Sequence, residues 1–79
     1  MSSSVAPEAV VAEVFGVSRD QLHYQTSNQT LPEWDSLGHI TLVLELEARF
    51  GIALSAEEAL GLTSIGAIKR ALAERGITW

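Results

Sequence analysis

The apolar residues of this 79-residue chain recur at helical spacing, in segments that are separated by polar residues and glycines. The first segment predicts a helix over about residues 5–15, and Gly16 is suited to end it because glycine readily adopts the left-handed conformation. The inner face of this helix consists of Val10, Val11, Val14 and Phe15. Strict alternation of apolar and polar residues does not persist anywhere, so the pattern predicts no strand.

The polar stretch over residues 17–35 is predicted to be a long loop, because Pro32 prevents a helix from running through it. Ser18 and Gln21 have the spacing of a capping box over a single turn. A loop this long in so small a domain usually has a functional or positional role. Trp34, at its end, is expected to pack against the start of the next helix. The predicted anchors of the loop on the core are Leu22, Tyr24 and Leu31.

The longest helix is predicted over residues 36–50, with Asp35 as its N-cap and Gly51 as its C-cap. On a helical wheel at about 100° per residue, its apolar residues form two groups. The core group is His39, Leu42, Val43, Leu46 and Phe50. The second group, about 150° away by the same geometry, is Leu37, Ile40 and Leu44, and Thr41, Glu47 and Ala48 share its side. Since the other helices offer too little surface to cover both groups, the second predicts a docking surface, with partial burial as the alternative.

Two further helices complete the pattern. Ser55 and Glu58 have the spacing of a capping box at the start of a short helix. The last helix has Thr63 or Ser64 as its N-cap and Gly76 as its stop. Its core residues are Ile65, Ile68 and Leu72. The prediction is an all-α protein: a small four-helix bundle with three longer helices, a short third helix and a long loop between the first two.

Length and composition limit the kind of protein this can be. The chain is long enough for one domain, predicted over residues 1–79. The absence of cysteine excludes disulfides and thiolate metal sites and favours a reducing cytoplasm. No apolar run approaches the roughly 18 residues of a membrane span, and the N-terminus lacks the pattern of a secretory signal. We therefore expect a cytoplasmic protein that does not bind membranes.

The charge balance bears on the possible partners. With 5 Lys and Arg against 10 Asp and Glu, the formal net charge is −5. A small DNA-binding domain is disfavoured, because nucleic-acid affinity comes largely from neutralising phosphates. Acidity favours basic partners, although many soluble domains are acidic for solubility alone.

Three side chains invite comparison with an active site or a metal site. His23 has no carboxylate or cysteine at metal-ligand spacing, and no metal site is predicted. Ser36 and His39 are three residues apart, as a nucleophile and its base might be on a helix. A bundle this small has little room for a substrate pocket, and His39 is better explained by packing or hydrogen bonding. We therefore expect the protein not to be an enzyme.

Ser36 has a second feature, its position in the first turn of the longest helix. Unpaired N–H groups and the helix dipole favour an anion there, including a phosphate attached to the serine oxygen. On position alone, an ordinary first-turn residue beside the Asp35 cap is the simpler explanation.

The segment WDSLGHITLVLELEARFGI, residues 34–52, resembles the modification-site segment of acyl carrier proteins. The centre of the resemblance is the triplet Asp35, Ser36 and Leu37. A long loop before the triplet, a hydrophobic helix after it and the FGI that ends that helix make the match more specific. Chain length, helix pattern and acidity agree, so the resemblance covers nearly the whole chain.

The resemblance implies a covalent cofactor, 4′-phosphopantetheine, joined through a phosphodiester to Ser36 by a transferase that takes it from coenzyme A. The terminal thiol then holds an acyl or aminoacyl group as a thioester. Asp35 and Leu37 would be recognised by the transferase. The implied docking residues are Leu37, Ile40, Thr41, Leu44, Glu47, Glu57 and Glu58. For Glu57 and Glu58, an ordinary solvated first turn is the alternative.

The resemblance also implies partners. These are a phosphopantetheinyl transferase, an acyltransferase or adenylating ligase, and a ketosynthase or another carrier domain, with the carrier itself a monomer. Gly38 and Thr41 stand where fatty-acid carriers commonly have acids, and Leu44 stands where methionine is common. Trp34 and the GHI at residues 38–40 look more like carriers of polyketide or nonribosomal-peptide pathways.

These departures favour a stand-alone carrier of a specialised-metabolite pathway, such as polyketide biosynthesis. The alternatives are a housekeeping fatty-acid carrier, a domain of a larger synthase and an unmodified carrier-like interaction module.

Overall fold

The computed structural model describes residues 6–79, in which four α-helices surround one hydrophobic core. The helices are α1 (Pro7–Phe15), α2 (Ser36–Phe50), α3 (Ala56–Gly61) and α4 (Ile65–Glu74), and a 3-10 turn at Arg19–Gln21 lies in the loop between α1 and α2. The predicted all-α bundle with a short third helix is confirmed. The expected start of the first helix at residue 5 lies outside the described residues. No helix within residues 6–79 combines the length and hydropathy needed to cross a bilayer.

The helices begin at the predicted caps. The carboxylate of Asp35 accepts a hydrogen bond from the backbone N–H of Gly38 at 2.7 Å. Both bonds of the capping box are present at α3, where Ser55 Oγ accepts from the N–H of Glu58 and Glu58 accepts from the N–H of Ser55. Ser64, rather than Thr63, caps α4. These local signals could be read correctly because the two partners of each bond are only three residues apart.

The core is formed by one face of each longer helix together with anchors from the loop. Its buried hydrophobic residues are Val10, Val11, Leu22, Leu31, Trp34, Leu42, Leu46, Leu62, Ile65, Ile68 and Leu72. Of the predicted core group on α2, Leu42 and Leu46 are buried, whereas His39, Val43 and Phe50 are half-buried. Both Val10 and Val11 of α1 are fully buried, and Val14 and Phe15 pack on the edge of the core.

Of the three predicted anchors of the loop on the core, Leu22 and Leu31 are buried, but Tyr24 is not. Its side chain is 56% exposed, and its ring lies against Gly66, where a Cβ atom would collide with it. The backbone is what fastens this part of the loop, because the carbonyl of Tyr24 accepts from the N–H of Gly66 at 2.9 Å. An aromatic residue in a loop can therefore cover a glycine without entering the core.

Two further backbone hydrogen bonds join the loop to the start of α4. The N–H of Ile65 donates to the carbonyl of Thr26 at 2.9 Å, and the N–H of Asn28 donates to the carbonyl of Thr63 at 3.0 Å. Thr26 is itself buried, and its hydroxyl oxygen accepts from the N–H of His23. These bonds thus fix residues 24–28 of the loop against the start of α4.

Candidate functional site

Ser36 is the first residue of α2 and is exposed to solvent. Asp35, directly before it, caps the helix through the N–H of Gly38, which lies at a crowded position in the first turn. A Cβ atom at Gly38 would lie 2.7 Å from the ring of Phe15 and 3.0 Å from both Asp35 Oδ1 and the carbonyl oxygen of Glu33. The glycine therefore allows Phe15, Asp35 and the end of the loop to approach one another closely at the start of α2.

Trp34 packs beneath the first turns of α2, between Phe15 and His39. It is only 2% exposed, and its ring centroid lies 5.4 Å from that of Phe15 and 6.3 Å from that of His39. Its indole N–H donates a hydrogen bond to Nδ1 of His39 at 3.0 Å. The predicted packing role of Trp34 is confirmed.

His39 makes a hydrogen bond with each of its ring nitrogens. Nδ1 accepts from Trp34, and Nε2 lies 2.7 Å from the carbonyl oxygen of Ala59 in α3. Because an indole N–H only donates and a carbonyl oxygen only accepts, these two hydrogen bonds require a proton on Nε2 and none on Nδ1. The expected hydrogen-bonding role of His39 is confirmed, and neither ring nitrogen bonds to Ser36.

The second apolar group of α2 is exposed rather than partly buried. Leu37 is 74% exposed, Ile40 58% and Leu44 60%. Leu60 of α3 is 75% exposed, and it was not among the residues that the sequence pattern singled out. A bulky leucine in a helix too short to form a core stripe is the signal that could have revealed it. We call Leu37, Ile40, Leu44 and Leu60 the apolar patch.

Two hollows adjoin the apolar patch. The larger, of about 530 Å³, is lined by Ser36 and its neighbours Asn28, Trp34, Asp35, His39, Ile40, Leu60 and Thr63. The smaller, of about 300 Å³, is a groove between α2 and α3, lined by His39, Ile40, Val43, Leu44, Ala56, Ala59 and Leu60. Three residues, His39, Ile40 and Leu60, line both. The patch and the serine thus share one continuous surface.

The three acids of the predicted docking set differ in whether their carboxylates already have hydrogen-bond or ion-pair partners. Glu47 is half-buried and accepts a hydrogen bond from the N–H of Leu54 at 2.8 Å. Glu58 accepts from the N–H of Ser55 and pairs with Arg75 at 2.8 Å, and these two contacts hold its pKa below the usual value for glutamate. The carboxylate of Glu57 is exposed and makes no hydrogen bond or ion pair within residues 6–79.

Thr41, the remaining polar member of the set, is exposed, and its hydroxyl donates to the carbonyl of Leu37 one turn earlier at 3.2 Å. His23 lies exposed in the loop. Within residues 6–79, no three His, Asp or Glu side chains are grouped so that they could hold a metal ion.

The family model of the phosphopantetheine attachment site matches residues 8–72, and the chain belongs to this family. No curated protein matches the chain. Domains of this family are attachment sites for a covalent 4′-phosphopantetheine group, and they serve as carriers that interact with phosphopantetheinyl transferases and with catalytic enzymes. The predicted membership of the acyl carrier protein family and the predicted cofactor are therefore confirmed.

The residues around the larger hollow fit such a group chemically. An amide and a hydroxyl, from Asn28 and Thr63, line it together with the apolar Trp34, Ile40 and Leu60. The side chains of Asn28 and Thr63 make no hydrogen bond within residues 6–79. A chain that carries amides and apolar segments can therefore bind along this hollow, with the polar side chains holding its amides.

Proposed function

We propose that this chain is a carrier protein in which 4′-phosphopantetheine is joined to Oγ of Ser36, and that it holds acyl or aminoacyl intermediates as thioesters. One observation supports Ser36 above all: it is an exposed first residue of α2 that lines a hollow suited to the group. The N-terminus of α2 supports the same assignment, because its dipole and unpaired N–H groups favour the negative charge of a phosphodiester.

The tethered group explains why a carrier needs so little surface of its own. A flexible tether keeps the cargo at high effective concentration near each enzyme that the carrier visits. The carrier must also be released after each visit, so a small contact is suitable. The apolar patch, with Thr41 and Glu57 exposed on the same two helices, is the contact that we propose for partner enzymes. We propose that Glu47 of α2, which bonds to Leu54 just before α3, and Glu58 of α3 are acids at the edge of this contact.

The partners that we propose are a phosphopantetheinyl transferase, for which Asp35 and Leu37 mark the site, an acyltransferase or adenylating ligase, and a ketosynthase or another carrier. The chain itself would supply no catalysis. Both ring nitrogens of His39 are engaged elsewhere, which leaves Ser36 without a base from this residue. A cysteine-free chain is compatible with the reducing cytoplasm in which we propose that it acts.

A specialised-metabolite pathway, such as polyketide biosynthesis, is the setting that we favour over fatty-acid synthesis. From Ser36 to Leu44, α2 contains no acid, and its first acid, Glu45, bonds with Arg49 at 3.1 Å. The docking surface beside Ser36 is thus mainly apolar, unlike the acid-rich surface that the resemblance associates with fatty-acid carriers. A comparison of transfer rates to isolated ketosynthases from the two kinds of pathway would test this preference.

The attachment site can be tested by intact-protein mass spectrometry of the apo-protein after incubation with coenzyme A and a transferase of broad specificity. We expect the wild type to gain the mass of one phosphopantetheine group and the Ser36→Ala variant to gain none. Ser18→Ala, which replaces an exposed loop serine, is the matched control and should gain one group. Failure of folded wild type to gain mass, or a gain by Ser36→Ala, would contradict the proposal.

A second candidate function, an unmodified interaction module, is favoured by the apolar patch, which is exposed in the unmodified chain. It differs from the first in what the native protein contains. Intact mass spectrometry of protein isolated from its producer would show an unmodified chain if the second function is correct. A mass increase would reveal the arm and its cargo together.

A further inference from the structure

The short helix α3 is attached to the rest of the molecule differently from the three longer helices, which all have buried residues. None of its six residues, Ala56–Gly61, is buried, so burial of its own apolar side chains contributes little to holding it. Polar contacts fasten it instead. Before it, the N–H of Leu54 donates to Glu47 of α2 at 2.8 Å, and within it Glu58 pairs with Arg75 beyond α4 at 2.8 Å. Both contacts lie in the N-terminal half of the segment.

The C-terminal half of α3 is held by His39. Its Nε2–H donates to the carbonyl of Ala59 at 2.7 Å, while Nδ1 accepts from the buried Trp34. One imidazole ring therefore connects the end of the long loop, the first turns of α2 and the last turn of α3. Only the neutral ring with its proton on Nε2 satisfies both partners, so no apolar side chain of similar size can replace it.

The position of this connection links it to docking. Ile40 directly follows His39 in the chain, and Leu60 directly follows Ala59. The side chains of Ile40 and Leu60 line both hollows. A shift of α3 would therefore move Leu60 relative to Ile40 and change the shape of the surface beside Ser36.

We propose that His39 is a positioning residue: by bridging Trp34 and Ala59, it fixes α3 and Leu60 against α2 and thereby sets the shape of the apolar patch that partner enzymes contact. The docking part of this proposal rests on the proposed carrier function. The fixing of α3 is independent of that function, because it concerns contacts of the unmodified protein.

A pair of variants isolates the contact with Ala59. Removal of His39 alone would leave the buried N–H of Trp34 without a partner, which would destabilise the whole molecule. Trp34→Phe removes that N–H and leaves His39 free to donate to Ala59. The double variant Trp34→Phe/His39→Phe then removes the Ala59 contact without creating an unpaired indole. Comparison of the single with the double variant therefore measures how much the His39–Ala59 hydrogen bond stabilises the position of α3.

The first measurement is NMR of the apo-protein. In the wild type at neutral pH, ring nitrogen shifts should show the His39 proton on Nε2, with the exposed His23 as internal reference. In the double variant, the amides of Ala59 and Leu62 should exchange about fivefold to tenfold faster than in Trp34→Phe, as expected for loss of one hydrogen bond. The amides of α1, α2 and α4 should exchange alike in both.

The second measurement is the kinetics of modification, with coenzyme A and a transferase of broad specificity as the probe. The double variant should show a KM for the carrier several times that of Trp34→Phe, with kcat unchanged, because a displaced Leu60 weakens binding but not the chemistry at Ser36. The proposal would be overturned if the double variant and Trp34→Phe had equal KM values or equal rates of amide exchange in α3. It would also be overturned if amide exchange were accelerated alike in all four helices, or if the His39 proton were found on Nδ1. A wild type that accepts no phosphopantetheine would contradict the carrier function alone, since ring tautomer and exchange are measured without it.

Discussion

Gly38 lies at the point where α1, the end of the long loop and the first turn of α2 come closest together. A side chain there would meet the ring of Phe15, the carboxylate of Asp35 and the backbone of Glu33 within about van der Waals distance or less. The ring of Phe15 in turn packs on Trp34, and Asp35 caps the helix that begins with Ser36. The smallest residue in the segment thus lets the cap, the aromatic support and the candidate attachment site coexist.

Gly38→Ala should lower the free energy of unfolding by about 1 kcal/mol, measured by urea denaturation. Overpacking at a crowded position costs about 1–3 kcal/mol, and the higher helix propensity of alanine offsets about 0.5–1 kcal/mol of this. Gly61→Ala, at a helical glycine with nothing within 4 Å of the added Cβ, is the matched control and should not lose stability. Equal stability of the two variants would show that the crowding at Gly38 is relieved without cost.

At the level of the elements, α3 contributes no buried residue, and a charged contact helps to hold its first turn. Glu58 caps its first turn and reaches Arg75, whose guanidinium also donates to the carbonyl of Ala53. These contacts favour the ionised form and lower the pKa of Glu58 from its ordinary value of 4.5. A carboxyl whose pKa is lower in the folded state stabilises the fold above its unfolded pKa, and this contribution disappears as the pH falls through the folded pKa.

We therefore expect the wild type to lose stability as the pH falls below about 4.5, and Glu58→Gln to lose less over the same range. Glutamine keeps the capping hydrogen bond to Ser55 but cannot form the charged pair with Arg75. Urea midpoints measured at several pH values test this, with Glu57→Gln as the control because Glu57 has no such partner. An identical pH dependence in the wild type and Glu58→Gln would contradict the role of the pair.

At the scale of the whole molecule, the sequence predicted what depends on neighbouring residues and failed where distant segments meet. Asp35 and Ser55 could be recognised as caps because their partners are three residues away. The link from His39 to Ala59 joins residues 20 apart in the chain, which no local pattern reveals. The exposure of Tyr24 could not be predicted for the same reason: whether a loop aromatic enters the core or covers a glycine depends on where α4 lies.

The apolar patch likewise forms only when the helices pack together, because Leu37, Ile40 and Leu44 come from α2 and Leu60 comes from α3. Its predicted exposure on α2 agrees with the structure, but its extent could be defined only once α3 had been placed against α2. From the sequence, one can therefore predict Ser36 and the exposed face of α2. The complete docking surface, which includes Leu60, can be defined only from the folded structure.

Leu60 offers the sharpest test of whether this assembled surface binds partners. Since its side chain is 75% exposed, Leu60→Ser should change the free energy of unfolding by no more than about 0.5 kcal/mol. We expect the same variant to raise the KM of a phosphopantetheinyl transferase for the carrier several-fold, with kcat unchanged, because the contact is lost equally before and during reaction. Leu60→Met keeps the apolar volume and should restore the wild-type KM. An unchanged KM in Leu60→Ser would restrict the docking surface to α2, whereas a loss of stability in that variant would mean that Leu60 packs against the bundle rather than facing a partner.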